Sequence, residues 1–363
     1  MTTDELQSKT IDWLRFPMII GVLLIHSYKP PMNNGGMLLG NDHIVYPIFQ
    51  FFRNLGSEVV GRLSVPMFFL IAGFLFFQAT RFDRLFYWKK LKNRFHSLLV
   101  PYLFWIGFTI VLYLLLQRVF GITRLAYGSV PPIVQWNAMD YLRSFWDLRS
   151  PAYPLIYPLW FIRDLMITML LSPLLYILMK YLKGGAITLF FLFWMFGFPI
   201  HLTGVNITAL FFFMLGGYFR LFEKNLISEC RKLFRFSLIA YPVVAVADAC
   251  SKGLPVNTYI HHAGILLGIL FLFNIISFLL EHRRLSVGTF LPGASFFLFA
   301  VHEQSLSQVR KSLTAIFPPG SSQLNDVILY LLPMLIIIPS ALGLYSLLRR
   351  YCPAILRIMV GAR

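Results

Sequence analysis

Charge is scarce in this sequence. Asp, Glu, Lys and Arg make up 13% of the 363 residues, and none of the four occurs in residues 184–219. A soluble domain carries about a quarter of its residues charged, so the soluble-enzyme reading is set aside. Acid is scarcer than base: 15 Asp and Glu stand against 32 Lys and Arg, a net charge of +17. That excess would suit nucleic acid if one domain carried it. Here it is scattered in short clusters between apolar runs, the pattern of loops at one face of a membrane, so no nucleic acid is expected. Cysteine is nearly missing, and Cys230, Cys250 and Cys352 show no metal-ligand or redox spacing. Internal repeats and low-complexity segments are absent as well.

What is present is hydrophobic. Apolar residues reach 58% and aromatics 17%, with 37 Phe, 17 Tyr and 7 Trp, and mean hydropathy is +0.69. Aromatic rings at these levels suit lipid-facing and interfacial positions. The chain is expected to be an all-α, polytopic membrane helix bundle forming one domain over residues 1–363.

Apolar runs give about ten spans. The first, 11–28, has Lys9 and Arg15 near its start but no small-residue cleavage pattern after it, so it is expected to stay as a span. A loop at 29–43 with Pro30-Pro31 and Gly35-Gly36 follows. The run 46–79 would be roughly 50 Å long as one helix, so an amphipathic approach is expected before the spanning part. Next comes the strongest topological marker, the basic block Arg81, Arg84, Lys89, Lys90, Lys92 and Arg94, which the positive-inside rule places in the cytoplasm. A third span at 98–117 leads to a long external cap at 118–154, and a fourth follows at 155–179. The uncharged run 184–219 is too long for one crossing and divides near 198–204. Later spans fall at 236–249, 259–280, 287–306 and 324–348. Basic turns between them put both termini in the cytoplasm and the protein in the inner membrane.

Titratable residues inside these spans are the functional candidates, because lipid excludes them unless they face a bundle interior or a wet cavity. The first span holds Arg15 and His26, roughly 16 Å apart along a helix, one towards each face. On the same topology His26, Glu58, Arg62, Arg163, Asp164, His302 and Glu303 gather in the outer halves of their helices. Trp160 opens the unusual run Leu159-Trp160-Phe161-Ile162-Arg163-Asp164. Glu58 and Arg62, four apart, are expected to pair on one helix face. His302 and Glu303 are expected close to an outer boundary, and His201, His261 and His262 at solvated outer turns.

These residues also carry a resemblance. Arg15 and His26 in the first span, VPMFFLIAGF in the second, KNRFHSLLVPYLFW entering the third, YPLWFIRDLMI in the fourth, FFFMLGGYF in the sixth and SFFLFAVHE near the end are similar, in this order, to the integral-membrane acyltransferase family 3. The family often has Ser-Gly where this chain has Ala72-Gly73. The resemblance implies a ten-helix bundle that moves an acyl group, usually acetyl, from coenzyme A to a hydroxyl or amine of a carbohydrate or lipid-linked envelope acceptor. His26 then matches the family's essential histidine and Arg15 its partner arginine. Acetyl-CoA or another acyl-CoA is the expected co-substrate, and no metal is expected.

The residues agree with that chemistry. A hydroxyl attacking a thioester needs a base that works near neutral pH, and imidazole is the usual one. An acyl-histidine intermediate is the less favoured route. Arg15 suits a phosphate of coenzyme A, and Arg62 or Arg163 an oxyanion or acceptor. Plainer readings stand beside these. Arg15 as a snorkelling anchor, Arg163–Asp164 as a structural ion pair and His26 hydrogen-bonded across the bundle all fit the same residues. The rival class is a multi-pass transporter or flippase of a sugar or lipid-linked precursor, which matched helix breaks in two halves would favour.

Overall fold

The computed structural model describes residues 1–27, 46–77, 82–121, 132–147, 153–200 and 202–361. The loop at 29–43, Arg81, parts of the external cap and His201 lie outside the described residues. Every regular element among the described residues is helical.

In chain order these are α1 (Thr3–Ser27), α2 (Pro47–Arg53), α3 (Ser64–Phe76), α4 (Arg84–Arg94), α5 (Val100–Phe120), α6 (Ala138–Phe145), α7 (Trp160–Leu170), α8 (Ser172–Leu182), α9 (Gly184–Met195), α10 (Ile207–Leu221), α11 (Leu226–Arg231), α12 (Phe234–Cys250), α13 (Asn257–Glu281), α14 (Phe290–Thr314), α15 (Gln323–Tyr351) and α16 (Pro353–Val360).

Each predicted span meets a helix, but not each helix is a full crossing. Five are long and apolar enough: Thr3–Ser27, Pro47–Phe76, Arg84–Val119, Asn257–Glu281 and Gln323–Tyr351. A sixth counts if α7 and α8, bent by 59° at their junction, are one span. The bend has a local cause, because Pro173 in the first turn of α8 has no amide to give the carbonyl of Met169. Helices α9 and α10, with 12 and 15 residues, fall short of a ~30 Å hydrocarbon core at 1.5 Å per residue. The break predicted near 198–204 does separate them. Helix α14 is long but its second half is polar, which is why hydropathy alone does not mark it as a span.

Two close crossings hold the centre. Gly73 of α3 faces the Phe213 backbone, and Gly216 of α10 faces the backbone of Leu70 and Phe74, so a Cβ at either place would collide with main chain. Small residues are what let helix backbones meet in a membrane, where apolar burial alone gives helices no preference for each other over lipid. The second crossing is between α1 and the link from α2 to α3. That link is continuous but irregular, a π turn at Asn54–Val60 followed by a 3-10 turn at Gly61–Leu63. A Cβ at Gly61 would lie 2.8 Å from the Gly21 carbonyl of α1. Outward, α12 shows Phe236, Ile239, Val243 and Val246 at helical spacing, all exposed, the stripe expected to face lipid. At the chain's end, Trp105 of α5 donates Nε1–H to the Met359 carbonyl at 2.9 Å and fixes α16.

Candidate active site

The two histidines singled out at opposite ends of the chain meet. His26, in the last turn of α1, lies edge-on to His302 of α14, with ring centroids 4.9 Å apart and planes at 64°. His302 is wholly buried and stands mid-helix, not in the solvated place near a helix end that the sequence suggested. The polar stretch after it belongs to the same helix, which runs on to Thr314. The Nδ1 of His302 is 2.6 Å from the Phe299 carbonyl. A carbonyl only accepts, so Nδ1 carries the proton, and in the neutral ring Nε2 holds a lone pair. That Nε2 is buried and has no hydrogen-bond partner among the described residues.

A third ring lies beside His26. Tyr157, in the 3-10 turn Tyr157–Leu159 before α7, lies edge-on to His26 at 5.9 Å and packs on Tyr153 at 4.6 Å. Its hydroxyl is in the field of both Arg62 and Glu303. Glu303 is buried beside His302 and also reaches Tyr113 of α5 through its charge. Arg62 and Glu58 pair as expected, Nη2 to Oε2 at 2.9 Å and Nε to Oε2 at 3.1 Å. They sit on the irregular link between α2 and α3, where a π turn re-aims side chains, as such turns often do near functional sites. His26, Tyr157, His302, Glu303, Glu58 and Arg62 therefore share one neighbourhood.

Arg163 and Asp164 form a separate pair. Both are 4% exposed, and Arg163 places Nε and Nη2 each 3.0 Å from Asp164 Oδ1. Their charges are felt by Tyr102 of α5, whose hydroxyl donates to the Phe145 carbonyl. Trp160 is half-buried and packs edge-on to Phe161 at 6.5 Å.

Arg15 stands in the middle of α1, which begins at Thr3 and not close to Arg15 as the apolar run suggested; it is half-exposed and 3.2 Å from Asp12. It has cationic company that sequence spacing did not reveal. Arg94 of α4 is near enough to feel its charge, and Lys90 feels Arg94, Arg220 and Lys89. Lys90 donates to the Leu75 carbonyl at 3.2 Å, and Arg220 lies over the Phe74 ring. Beside them a pocket of about 260 Å³ is lined by Asp4, Gln7, Phe219, Arg220, Glu223, Lys224 and Asn225. Bases from α1, α4 and α10 thus form a chain of neighbours on the N-terminal side of α1, and the histidines lie at its C-terminal end.

Three other readings change. His261 is not simply solvated: its Nδ1 is 2.8 Å from Oδ2 of the buried Asp248, which also accepts from Lys252 at 2.7 Å and from Asn257 at 2.7 Å. His262 stacks on Trp194 at 4.3 Å, with Nδ1 3.2 Å from the Met195 carbonyl. Tyr157, three residues before Trp160, joins the site although nothing in its apolar surroundings marks it in the sequence. Among the described residues no three His, Cys, Asp or Glu side chains gather as a metal site requires.

Residues 8–348 match the acyltransferase domain family. The chain belongs to this acyltransferase 3 family, and the match contains both histidines, Arg15 and every other residue of the two clusters except Asp4 and Gln7. A curated relative, the succinoglycan biosynthesis protein ExoH of Rhizobium meliloti (strain 1021), is 32% identical over 176 residues. That stretch is 48% of this chain and 43% of the relative, so the comparison spans under half of either. No solved structure matches.

Proposed function

We propose that the protein is a multi-pass acyltransferase of the inner membrane. It moves an acyl group, acetyl in the first instance, from coenzyme A to a hydroxyl of a carbohydrate-type or lipid-linked envelope acceptor. The observation that carries this reading is the pairing of His26 with His302 inside a helix bundle, flanked by the Tyr157 hydroxyl. Two imidazoles in contact are costly to bury without a task, and imidazole is the base that acyl transfer needs. Family membership supports the reaction class, and a relative named for succinoglycan biosynthesis supports a polysaccharide-type acceptor.

In this reading the basic side faces the cytoplasm, where Arg15, Arg94 and Arg220 hold the phosphates of the donor and the pantetheine arm carries the thioester inward. Arginine's planar fork suits phosphate oxygens. His26 takes the acceptor's hydroxyl proton as its oxygen bonds to the acyl carbon. The carbon–sulfur bond then breaks, and the proton goes to the departing thiolate. His302, its Nδ1–H tied to a carbonyl, keeps the His26 ring in place and offers its lone pair as a second acceptor. Arg62, paired with Glu58, and the Tyr157 hydroxyl supply positive field for the developing oxyanion.

The test is acyl transfer from radiolabelled acetyl-coenzyme A by purified protein, with envelope extract as acceptor. His26→Ala is expected to lower turnover by about 10²–10⁴-fold, the usual range for loss of a general base, and to leave the folded fraction unchanged. Arg15→Ala is expected to raise the donor KM. A wild-type protein that neither binds coenzyme A nor transfers label would sink the proposal in favour of a transporter or flippase.

A further inference from the structure

Arg310 is a cation that the reaction as described does not use. It is 7% exposed and lies two turns beyond His302 on α14. Its Nη2 donates to the Ser27 carbonyl at 2.6 Å and to the His26 carbonyl at 3.2 Å. The last four carbonyls of a helix have no partner within it, and in α1 these are Leu24, Ile25, His26 and Ser27. A second side chain takes another of the four, since Ser57 donates Oγ–H to the Leu24 carbonyl at 2.5 Å and accepts in turn from the Tyr330 hydroxyl at 2.8 Å. Three of the four terminal carbonyls are thus held by side chains from outside the helix. A cation there is also favoured by the helix dipole. Helical side chains lean towards the N-terminus, so the Arg310 fork falls back towards the level of His26, whose ring already touches α14 through His302.

We infer that Arg310 is a positioning residue for acyl transfer: it pins the end of α1 to α14, setting the depth and angle at which His26 meets His302. The inference rests on His26 being the base. One helix therefore supplies both the ring that contacts His26 and the clamp on its backbone. A lysine cannot replace the clamp fully, because an ammonium is a point donor whereas the planar guanidinium presents a rigid fork of N–H groups. Misplacing a reacting group by about 1 Å costs on the order of 10²-fold in rate.

The experiment compares wild type, Arg310→Ala, Arg310→Lys and His26→Ala, each first shown to be folded. Turnover is measured with acetyl-coenzyme A, and amide exchange is followed over the C-terminal turn of α1. Arg310→Ala is expected to lose about 10- to 100-fold in kcat with donor KM within about twofold, and to exchange faster in that turn. Arg310→Lys should fall between it and wild type. Added guanidinium should restore part of the rate to Arg310→Ala and none to His26→Ala. Unchanged kcat, a change confined to KM, or a loss that guanidinium does not touch would overturn the inference. If wild type itself shows no transfer, the acyltransferase reading fails, and unchanged exchange in Arg310→Ala would separately remove the clamp.

Discussion

Arg163→Ala is the perturbation that best separates bundle structure from substrate handling. Residues adjacent in a helix do not normally face each other, yet Arg163 curls back so that two of its nitrogens reach one oxygen of Asp164 at 3.0 Å. With both side chains only 5% exposed, removing the arginine leaves a carboxylate with neither water nor its main partner. Breaking a buried pair in this way costs about 3–5 kcal/mol. A domain of 150–250 residues loses about 2–4 °C in Tm per kcal/mol and a longer chain less, so a fall of about 5–10 °C is expected here. Replacing both, as Arg163→Met with Asp164→Leu, should recover most of it, because no unpaired charge then remains. Thermal unfolding of detergent-purified protein, read by size exclusion after heating, measures each. If Arg163→Ala kept the wild-type Tm and instead raised KM for donor or acceptor tenfold, the structural account would be refuted.

Further expectations concern packing and topology. Gly73→Ala and Gly216→Ala should each destabilise by at least the ~1–3 kcal/mol typical of overpacking, because the obstacle is backbone of the facing helix; Gly107→Ala, with nothing within 4 Å, serves as the neutral control in the same unfolding assay. Burial pushes the Cys230 thiol up to about 12, so at pH 7.5 it stays protonated and unreactive. Permeant maleimide should therefore label the exposed Cys250 and spare Cys230. An impermeant maleimide applied to intact cells should label Cys250 but not Cys352; the reverse would turn the proposed orientation over.

Hydropathy made most of the helices readable, and a run of 36 residues with no charge forced the break that separates α9 from α10. Titratable residues in apolar runs likewise pointed to His26 and His302 before any geometry was known. Periodicity, however, identifies a face and not what lies against it. His302 and Glu303 looked like the polar edge of a membrane because solvent is the cheapest partner for such residues; in the folded chain both are buried, and His302 lies against His26 at the end of α1. Arg94 looked like an ordinary loop cation for the same reason, and Asp248 gave no sign that His261 would cover it. The shortness of α9 and α10 could be counted in the sequence, and Pro173 marked the place of the bend between α7 and α8, though not its 59° angle.

The histidine pair also has a consequence for biogenesis. His26 is made first and His302 follows 276 residues later, which at about 5–20 residues per second is roughly 15–55 s of synthesis. Throughout that interval the ribosome-bound chain carries its proposed base without the ring and the arginine that fix it. On the proposed mechanism a half-made chain in the membrane has a base with nothing to aim it, so chain order itself delays activity until α14 has been made.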